Sequence, residues 1–250
     1  MTTKKEINKQ LINDANATIE NAFASTENYK EWLSFMLNCP RLSVNNLALL
    51  HRKYEHPIPK TKKQWEKLGY KVTAPLKDYT YLLRPNIYDG FYKNKKWIPY
   101  KKATEEDKQK IKTGEITRLK GISYSPYFTY DISQTNASEE DLLLKDKDLL
   151  PKTYEFQSIC DEYVMDENDI INFIKNDIQI YEKKGDIKKE YLPMYEAGCL
   201  YLATSRLGFD AKISNFYLLN SLDANQLREC KKIMRLMLLD SDEIVNDLME

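Results

Sequence analysis

The sequence predicts an α+β fold, with a small antiparallel sheet packed on N-terminal helices and a mainly helical C-terminal region after it. Apolar residues recur at helical spacing over the first fifty residues. They then alternate in a strand-like way, and they return to helical spacing after residue 135. With 250 residues, of which 42% are hydrophobic, the chain is long and apolar enough to bury a substantial core.

Helices with recognisable ends are predicted in the N-terminal part. The first covers residues 3–23, and Thr26 and Ser43 are the predicted N-caps of the next two. The third helix is expected to run to Tyr54, before Pro57. A short helix follows over residues 64–68. Two tryptophans within these segments are predicted to lie in the core: Trp32 and Trp65.

The middle of the chain is predicted to form the sheet. The predicted strands cover residues 70–73, 79–84, 87–92, 95–100, 116–120 and 124–133. Residues 87–92 and 95–100 form a hairpin in this interpretation, and a charged helix over residues 103–112 interrupts the sheet. The sheet therefore has a helical insertion.

Helical spacing resumes in the C-terminal part. A helix is predicted over residues 164–182, and another lies between Pro193 and Gly208. Asp223 and Gln226 have the spacing of a capping box at the start of the last helix. We predict two domains, residues 1–135 and residues 136–250.

The charge of the chain is unevenly distributed although its formal net charge is zero. Between Arg41 and Lys120 there are 20 Lys and Arg residues against 8 Asp and Glu residues. From Gly121 to Glu250 the corresponding counts are 14 and 25. A basic block rich in tyrosine suits an anionic polymer with stackable bases. The alternative is that these lysines form an ordinary solvated face.

No motif indicates enzymatic chemistry. The chain has two histidines and lacks HExxH, a Walker loop, GxGxxG and GxSxG. We therefore expect no catalytic residues, no metal and no cofactor. The four cysteines are widely spaced, and the N-terminus is polar, which favours a cytoplasmic protein with reduced thiols and no membrane association.

Several segments in a fixed order resemble a known family. They are the stretch Leu42–Leu50 that contains Ser-Val-Asn-Asn, then Pro57, Trp65, the basic strand 71–85, and Phe128–Thr135. This pattern resembles the N-terminal single-stranded-DNA-binding domain of ArdC-type antirestriction proteins over about residues 20–135. Tyr130 stands where phenylalanine is usual, Glu55 replaces a common glutamine, and Ala-Pro-Leu replaces a glycine-containing turn.

In many members of this family a metallopeptidase-like domain follows the DNA-binding domain. Residues 194–208 and the helices after them resemble the end of such a domain, but HExxH is absent. Glu196 is placed where a ligand carboxylate would stand, and the alternative is a solvated glutamate. We interpret residues 136–250 as a degenerate, non-catalytic remnant of that domain.

The candidate nucleic-acid-binding residues combine cations, aromatic rings and amides. They are Asn45, Asn46, Lys53, Lys71, Lys77, Tyr79, Tyr81, Arg84, Gln134 and Thr135. Tyr79 and Tyr81 are expected on one face of a strand, with Lys77 and Arg84 on either side. The alternatives are that both tyrosines face the core and that the amides and Thr135 make only internal hydrogen bonds.

These observations predict a non-enzymatic single-stranded-DNA-binding protein of a mobile genetic element, active in antirestriction or DNA transfer. The expected partners are single-stranded DNA and, in addition, a host defence or conjugation protein. An alternative is a protein-directed inhibitor of a host defence nuclease that acts through its acidic C-terminal half. A residual metallohydrolase is the third class considered.

Overall fold

Two compact units make up the protein. A computed structural model describes residues 3–75, 77–145, 149–163, 165–185, 187–209 and 222–249. The sheet unit comprises Met1–Leu11 and Tyr81–Phe128, and the helical unit comprises Ile12–Thr80 and Thr129–Glu250. The predicted fold class is confirmed, because a small antiparallel sheet and N-terminal helices precede a mainly helical C-terminal region. The domain boundary at residue 136 stays a prediction.

The described ranges contain α-helices and one sheet. The helices are α1 (Lys4–Ala22), α2 (Thr26–Leu37), α3 (Val44–His51), α4 (Lys62–Lys67), α5 (Glu105–Lys112), α6 (Glu139–Lys145), α7 (Phe156–Tyr163), α8 (Glu167–Gly185), α9 (Leu192–Arg206) and α10 (Ala224–Met249). The strands are β1 (Thr80–Lys93), β2 (Lys96–Pro99) and β3 (Leu119–Thr129), in the order β2-β1-β3. None of the described helices combines the length and apolar character of a membrane span.

The predicted hairpin is confirmed, with its turn shifted by one residue. β1 pairs antiparallel with β2, and Tyr92 lies opposite Trp97. The turn residues are Asn94 and Lys95, which both have positive φ, as a two-residue hairpin requires. β1 is one long strand where two were predicted. β2 pairs only with the end of β1, at Gly90–Lys93. At Pro85 one edge of β1 therefore has no partner strand, and the missing backbone N–H of proline is tolerated at such an edge.

Helix α5 lies at the back of this hairpin. Phe91 is fully buried, and Lys93, two residues further along β1, donates to Asp107 of α5 at 2.6 Å. Asp107 is also part of a capping box with Thr104, and the Lys93 hydrogen bond lowers the pKa of Asp107 to about 2. The predicted helical insertion is therefore linked to the end of β1 by this ion pair.

Caps and packing define the helices of the helical unit. Trp32 and Trp65 are both fully buried, as predicted. The predicted N-cap Thr26 is wrong: Ser25 caps α2, because its side chain accepts from the backbone N–H of Asn28 at 3.0 Å. Ser43 caps α3 as predicted, but α3 ends at His51 instead of continuing to Tyr54.

The C-terminal helices pack on one another, and α8 begins at Glu167 and ends at Gly185 where residues 164–182 were predicted. Asp223 and Gln226 exchange hydrogen bonds at 2.9 and 2.8 Å, which confirms the capping box before α10. Pro193 lies in the first turn of α9, and Gly208, with φ of 82°, follows its end. Helices α8, α9 and α10 form one layer of mutual contacts, in which Gly198 of α9 gives room to Met237 of α10.

Two predicted strands are wrong in their extent. Residues 70–73 contribute only one bridge, between Val72 and Thr135. β3 ends at Thr129, and the chain then forms a 3-10 turn over Ile132–Gln134 because the Asp131 carboxylate accepts from Ser133 N and Oγ at 3.0 and 2.6 Å.

Candidate nucleic-acid interface

The predicted binding residues lie in both units. The helical unit holds Asn45, Asn46, Lys53, Lys71, Lys77, Tyr79, Gln134 and Thr135, and the sheet unit holds Tyr81 and Arg84. Lys53, Lys71 and Lys77 are exposed at three positions on the helical unit. The structure therefore divides the predicted set between the two units.

The amide and hydroxyl of the 131–135 turn make internal hydrogen bonds. Gln134 Oε1 accepts from Asp131 N at 2.8 Å and from the Tyr54 hydroxyl at 3.3 Å, and Gln134 Nε2 donates to Asp78 O at 2.5 Å. Thr135 donates from Oγ1 to Ile132 O at 2.8 Å. Both side chains therefore make internal hydrogen bonds, which was the alternative interpretation of these residues. Their binding of nucleic acid stays a prediction.

The remaining polar and aromatic candidates of the helical unit are partly or fully enclosed. Tyr79 is half-buried against the cluster around Trp65, whose indole donates to Tyr130 O at 2.9 Å. Asn46 is buried near the start of α3, and Asn45 is half-buried with its Oδ1 unpaired among the described residues. Their enclosure leaves the three exposed lysines as the accessible members of the predicted set in this unit.

In the sheet unit the two predicted residues lie on opposite faces. The Tyr81 ring contacts Phe128 with ring centres 5.0 Å apart, and Tyr81 lines a shallow cavity with Ile7 and Leu11 of α1. The Arg84 guanidinium lies over the Tyr127 ring, 4.8 Å from its centre. Burial raises the pKa of Tyr127, with Arg84 acting in the opposite direction.

A row of alternate residues continues from Arg84 along one face of the sheet. Asn86 donates to the Ser125 hydroxyl at 3.0 Å, and the rings of Tyr88 and Tyr92 lie 6.1 and 5.3 Å from the ring of Trp97. We call this surface the aromatic face, and it comprises Arg84, Asn86, Tyr88, Tyr92, Trp97 and Tyr127.

The rings of the aromatic face are open to solvent. Tyr92 is 60% exposed, Tyr88 40% and Trp97 37%. Apolar rings of this size are normally enclosed, so three in one contiguous patch mark a contact surface. The opposite face carries buried Phe91 and the Lys93–Asp107 ion pair. The opposite face thus combines buried Phe91 with exposed Ile87, whereas the aromatic face presents rings to solvent.

Two glycines make room for these rings. A Cβ at Gly90 would meet the Trp97 ring at 2.7 Å, and a Cβ at Gly121 would collide with the Tyr88 ring. Trp97 and Tyr88 thus lie directly over the backbone of neighbouring strands. Backbone therefore lies directly beneath Trp97 and Tyr88, and Trp97 meets the Tyr88 and Tyr92 rings at interplanar angles of 75° and 69°.

Positive charge is concentrated in the same unit. The sheet unit contains fourteen Lys and Arg residues against six Asp and Glu residues, a net charge of +8, and the helical unit has 24 against 32, a net charge of −8. Four of the six carboxylates are paired within the sheet unit: Asp89 with Arg118, Glu105 with Lys108, Glu106 with Lys110, and Asp107 with Lys93. The cationic excess therefore lies on the other basic residues, including exposed Lys95 and Lys96.

Sequence reasoning missed the centre of the aromatic face. Tyr88, Tyr92, Trp97 and Tyr127 were assigned to strands but to no site. The available signal was the period of two in Tyr88-x-Gly90-x-Tyr92, with Trp97 after a two-residue turn. Which side of the hairpin stays exposed depends on tertiary packing, and the spacing of residues does not contain that information.

The two histidines and the predicted ligand position form no metal centre within the described ranges. No group of three or more His, Cys, Asp or Glu side chains there has the arrangement to hold a metal ion. His51 and His56 line one cavity of about 270 Å³, where burial lowers the pKa of His51. Glu196 is exposed on α9 beside Glu182. All four cysteines are free thiols, and three of them are buried.

These features define a basic three-stranded module with an exposed aromatic face, together with an acidic helical unit. The chain is similar to an uncharacterized, plasmid-encoded protein of Bacillus anthracis, with 30% identity over 189 residues. The match covers 74% of this chain but only 30% of that protein, so the chain spans less than a third of its relative. No known family matches the sequence, and no solved structure matches it.

Proposed function

We propose that the protein is a non-enzymatic, sequence-tolerant single-stranded-DNA-binding protein of a mobile genetic element, with a role in antirestriction, anti-defence or DNA transfer. The observation that carries this proposal is the aromatic face on a unit of net charge +8. Stacking on aromatic rings is tolerant of sequence because every base has a π-face, and basic side chains follow the phosphates.

The geometry favours single strands over duplexes. The rings of Tyr88 and Tyr92 lie 6.1 and 5.3 Å from the Trp97 ring and are inclined to it by 75° and 69°, so the exposed surface offers individual rings in different orientations. Unstacked bases can lie on such a surface, whereas bases in a duplex are already stacked and hidden. Arg84 over Tyr127 adds a cationic plane at the other end of the row.

The assignment to a mobile element is supported from two directions. The similar Bacillus anthracis protein is encoded on a plasmid. The order of segments between residues 20 and 135 resembles the single-stranded-DNA-binding domain of ArdC-type proteins, although the hairpin with Tyr88, Tyr92 and Trp97 lies in an insertion relative to that pattern.

A double variant of the aromatic face tests the proposal. We expect Tyr88→Ala/Tyr92→Ala to bind a fluorescent single-stranded oligonucleotide roughly 5- to 150-fold more weakly per lost stacking contact, which corresponds to about 1–3 kcal/mol. The measurement is fluorescence anisotropy at fixed salt, with duplex DNA as the competitor of lower affinity.

The matched control is Ile87→Ala/Ile122→Ala, which removes exposed apolar side chains of β1 and of the neighbouring β3, 82% and 58% exposed, outside the aromatic face. Melting temperatures establish that both variants are folded. Equal oligonucleotide affinities for wild type and the tyrosine variant, or no binding by wild type at low salt, contradict the proposal.

The charge of the helical unit favours a second candidate function, inhibition of a host defence nuclease. A net charge of −8 suits a basic nuclease surface that otherwise binds DNA. Co-precipitation of a host nuclease by the protein, after DNA has been digested, separates this function from the first. Capture that depends on DNA supports single-strand binding alone.

A further inference from the structure

A cationic cavity lies in the helical unit, and none of the residues predicted to bind nucleic acid lines it. It has a volume of about 340 Å³ and is lined by Arg41, Lys152, Tyr154, Arg206 and Asp242, with apolar side chains on one side. Three cations face one carboxylate, so the lining has a formal charge of +2. This is unusual in a unit whose net charge is −8.

Arg206 is the fixed element of this cavity. Its side chain is only 7% exposed, and Nη1 forms an ion pair with Oδ1 of Asp242, which is buried to the same degree. Arg206 Nε has no hydrogen-bond partner among the described residues. A buried guanidinium donor without an acceptor costs free energy, so the protein leaves the hydrogen-bonding capacity of Arg206 incompletely satisfied.

The surrounding groups hold Arg206 in place and leave the other cations accessible. Tyr154 N donates to Arg206 O at 2.7 Å, which fastens the lining segment to the end of α9. Arg41 Nη2 lies 2.5 Å from Asp242 Oδ2, so each oxygen of Asp242 contacts one arginine. The Arg41 side chain is nevertheless 73% exposed, and Lys152 is exposed as well.

We propose that this cavity binds the phosphate group of a small phosphate monoester. The dianionic phosphate matches the +2 charge of the lining, and its oxygens accept from the forked guanidinium groups and from the lysine. The volume exceeds that of a phosphate ion and lies within the range of small-ligand sites. The apolar side, which includes Leu150 and Val245, then contacts the organic part of the ligand.

The test uses the full chain and thymidine 5′-monophosphate, with inorganic phosphate and thymidine as comparison ligands, in isothermal titration calorimetry at constant ionic strength. We expect one site for the monophosphate and for inorganic phosphate, and none for thymidine. Arg41→Ala/Lys152→Ala should weaken monophosphate binding at least tenfold. Both side chains are exposed, so the variant is expected to fold.

The charge-matched control is Lys175→Ala/Lys189→Ala, whose lysines are exposed elsewhere on the helical unit and should leave the affinity unchanged. Asp242→Asn should bind monophosphate more tightly than wild type, because it removes the carboxylate that competes for both arginines. No binding by wild type, or equal affinities of wild type and Arg41→Ala/Lys152→Ala, overturns the proposal.

A single-stranded oligonucleotide with a 5′-hydroxyl separates this site from the proposed function. Its affinity should be the same for wild type and Arg41→Ala/Lys152→Ala, because the aromatic face is unaltered. If a 5′-phosphate on the oligonucleotide increases its affinity only when Arg41 and Lys152 are present, the phosphate recognised is a strand end. If it does not, the ligand is a free monoester.

Discussion

Gln134 shows how one side chain can hold together three separate segments. Its amide bonds to Asp131 N, the Tyr54 hydroxyl and Asp78 O, at distances between 2.5 and 3.3 Å. Tyr54 also shares a hydrogen bond of 3.0 Å with the Thr80 hydroxyl, and burial raises the pKa of Tyr54. The Gln134 amide thus links the 131–135 turn to Tyr54 and to the backbone at Asp78, just before β1 begins.

We therefore expect Gln134→Ala to lower the free energy of unfolding by about 1–3 kcal/mol, because three polar partners lose their hydrogen bonds. Urea unfolding measures this change, and exposed Gln179→Ala on α8 is the control. Single-strand affinity per folded molecule should not change. A loss of affinity at unchanged stability would instead support the sequence-based prediction that Gln134 contacts nucleic acid.

A carboxyl pair on α8 and α9 makes stability depend on pH. Burial and the neighbouring Glu196 raise the pKa of Glu182 to about 7 from an ordinary value of 4.5. Between these two pH values the folded chain holds a proton that the unfolded chain has released. The associated stability is thus fully present below about pH 4.5 and is lost as the pH rises through 7.

Glu182→Gln removes this dependence while keeping the shape of the side chain. We expect the variant to melt at a higher temperature than wild type at pH 8, and the advantage to shrink towards pH 5. Calorimetric melting curves at several pH values measure the effect, with exposed Glu162→Gln as control. A difference between Glu182→Gln and wild type that is constant over this range would contradict the assignment of the raised pKa to Glu182.

Among the helices, strands and turns, the sequence predicted best the features that depend on residues close together in the chain. Ser43 and the Asp223–Gln226 pair are caps whose donors and acceptors lie within three residues, so spacing alone located them. The Asn94–Lys95 turn was misplaced by only one residue for the same reason. The fold class followed from these local patterns.

Elements set by distant contacts were predicted less well. Pro85 suggested a break in the strand, but β1 continues through it because β2 pairs only with the end of β1. Residues 131–135 alternate like a strand, yet the Asp131 carboxylate accepts a hydrogen bond from the Ser133 hydroxyl and the chain forms a 3-10 turn. The alternation of hydrophobic residues contains no information on either event.

The candidate site illustrates the same limit. Arg84 was predicted and lies on the aromatic face, whereas Tyr81 points to the opposite face against Phe128. Alternation along β1 places Tyr88 and Tyr92 on one face, but their exposure depends on the folded structure. Tertiary packing decides which side chains stay exposed, so they could not be chosen from their residue types.

At the scale of the whole molecule, a net charge of zero hides two units of +8 and −8. The total charge alone would predict little electrostatic attraction to DNA. Attraction instead depends on the charges near the bound strand, because salt screens more distant ones over about 8–10 Å at physiological ionic strength. The protein should therefore behave towards single strands like a strongly basic protein.

We expect the logarithm of the single-strand affinity to fall linearly with the logarithm of salt concentration, with a slope of about −0.7 for each phosphate contacted. Arg84→Gln/Lys95→Gln/Lys96→Gln removes three cations of the sheet unit, so the slope should become less steep by up to about 2. Anisotropy titrations between roughly 50 and 200 mM salt measure it. Lys175→Gln/Lys189→Gln on the helical unit should leave the slope unchanged. A salt-independent affinity, or an equal loss of slope in both variants, would show that the charge of the sheet unit does not direct binding.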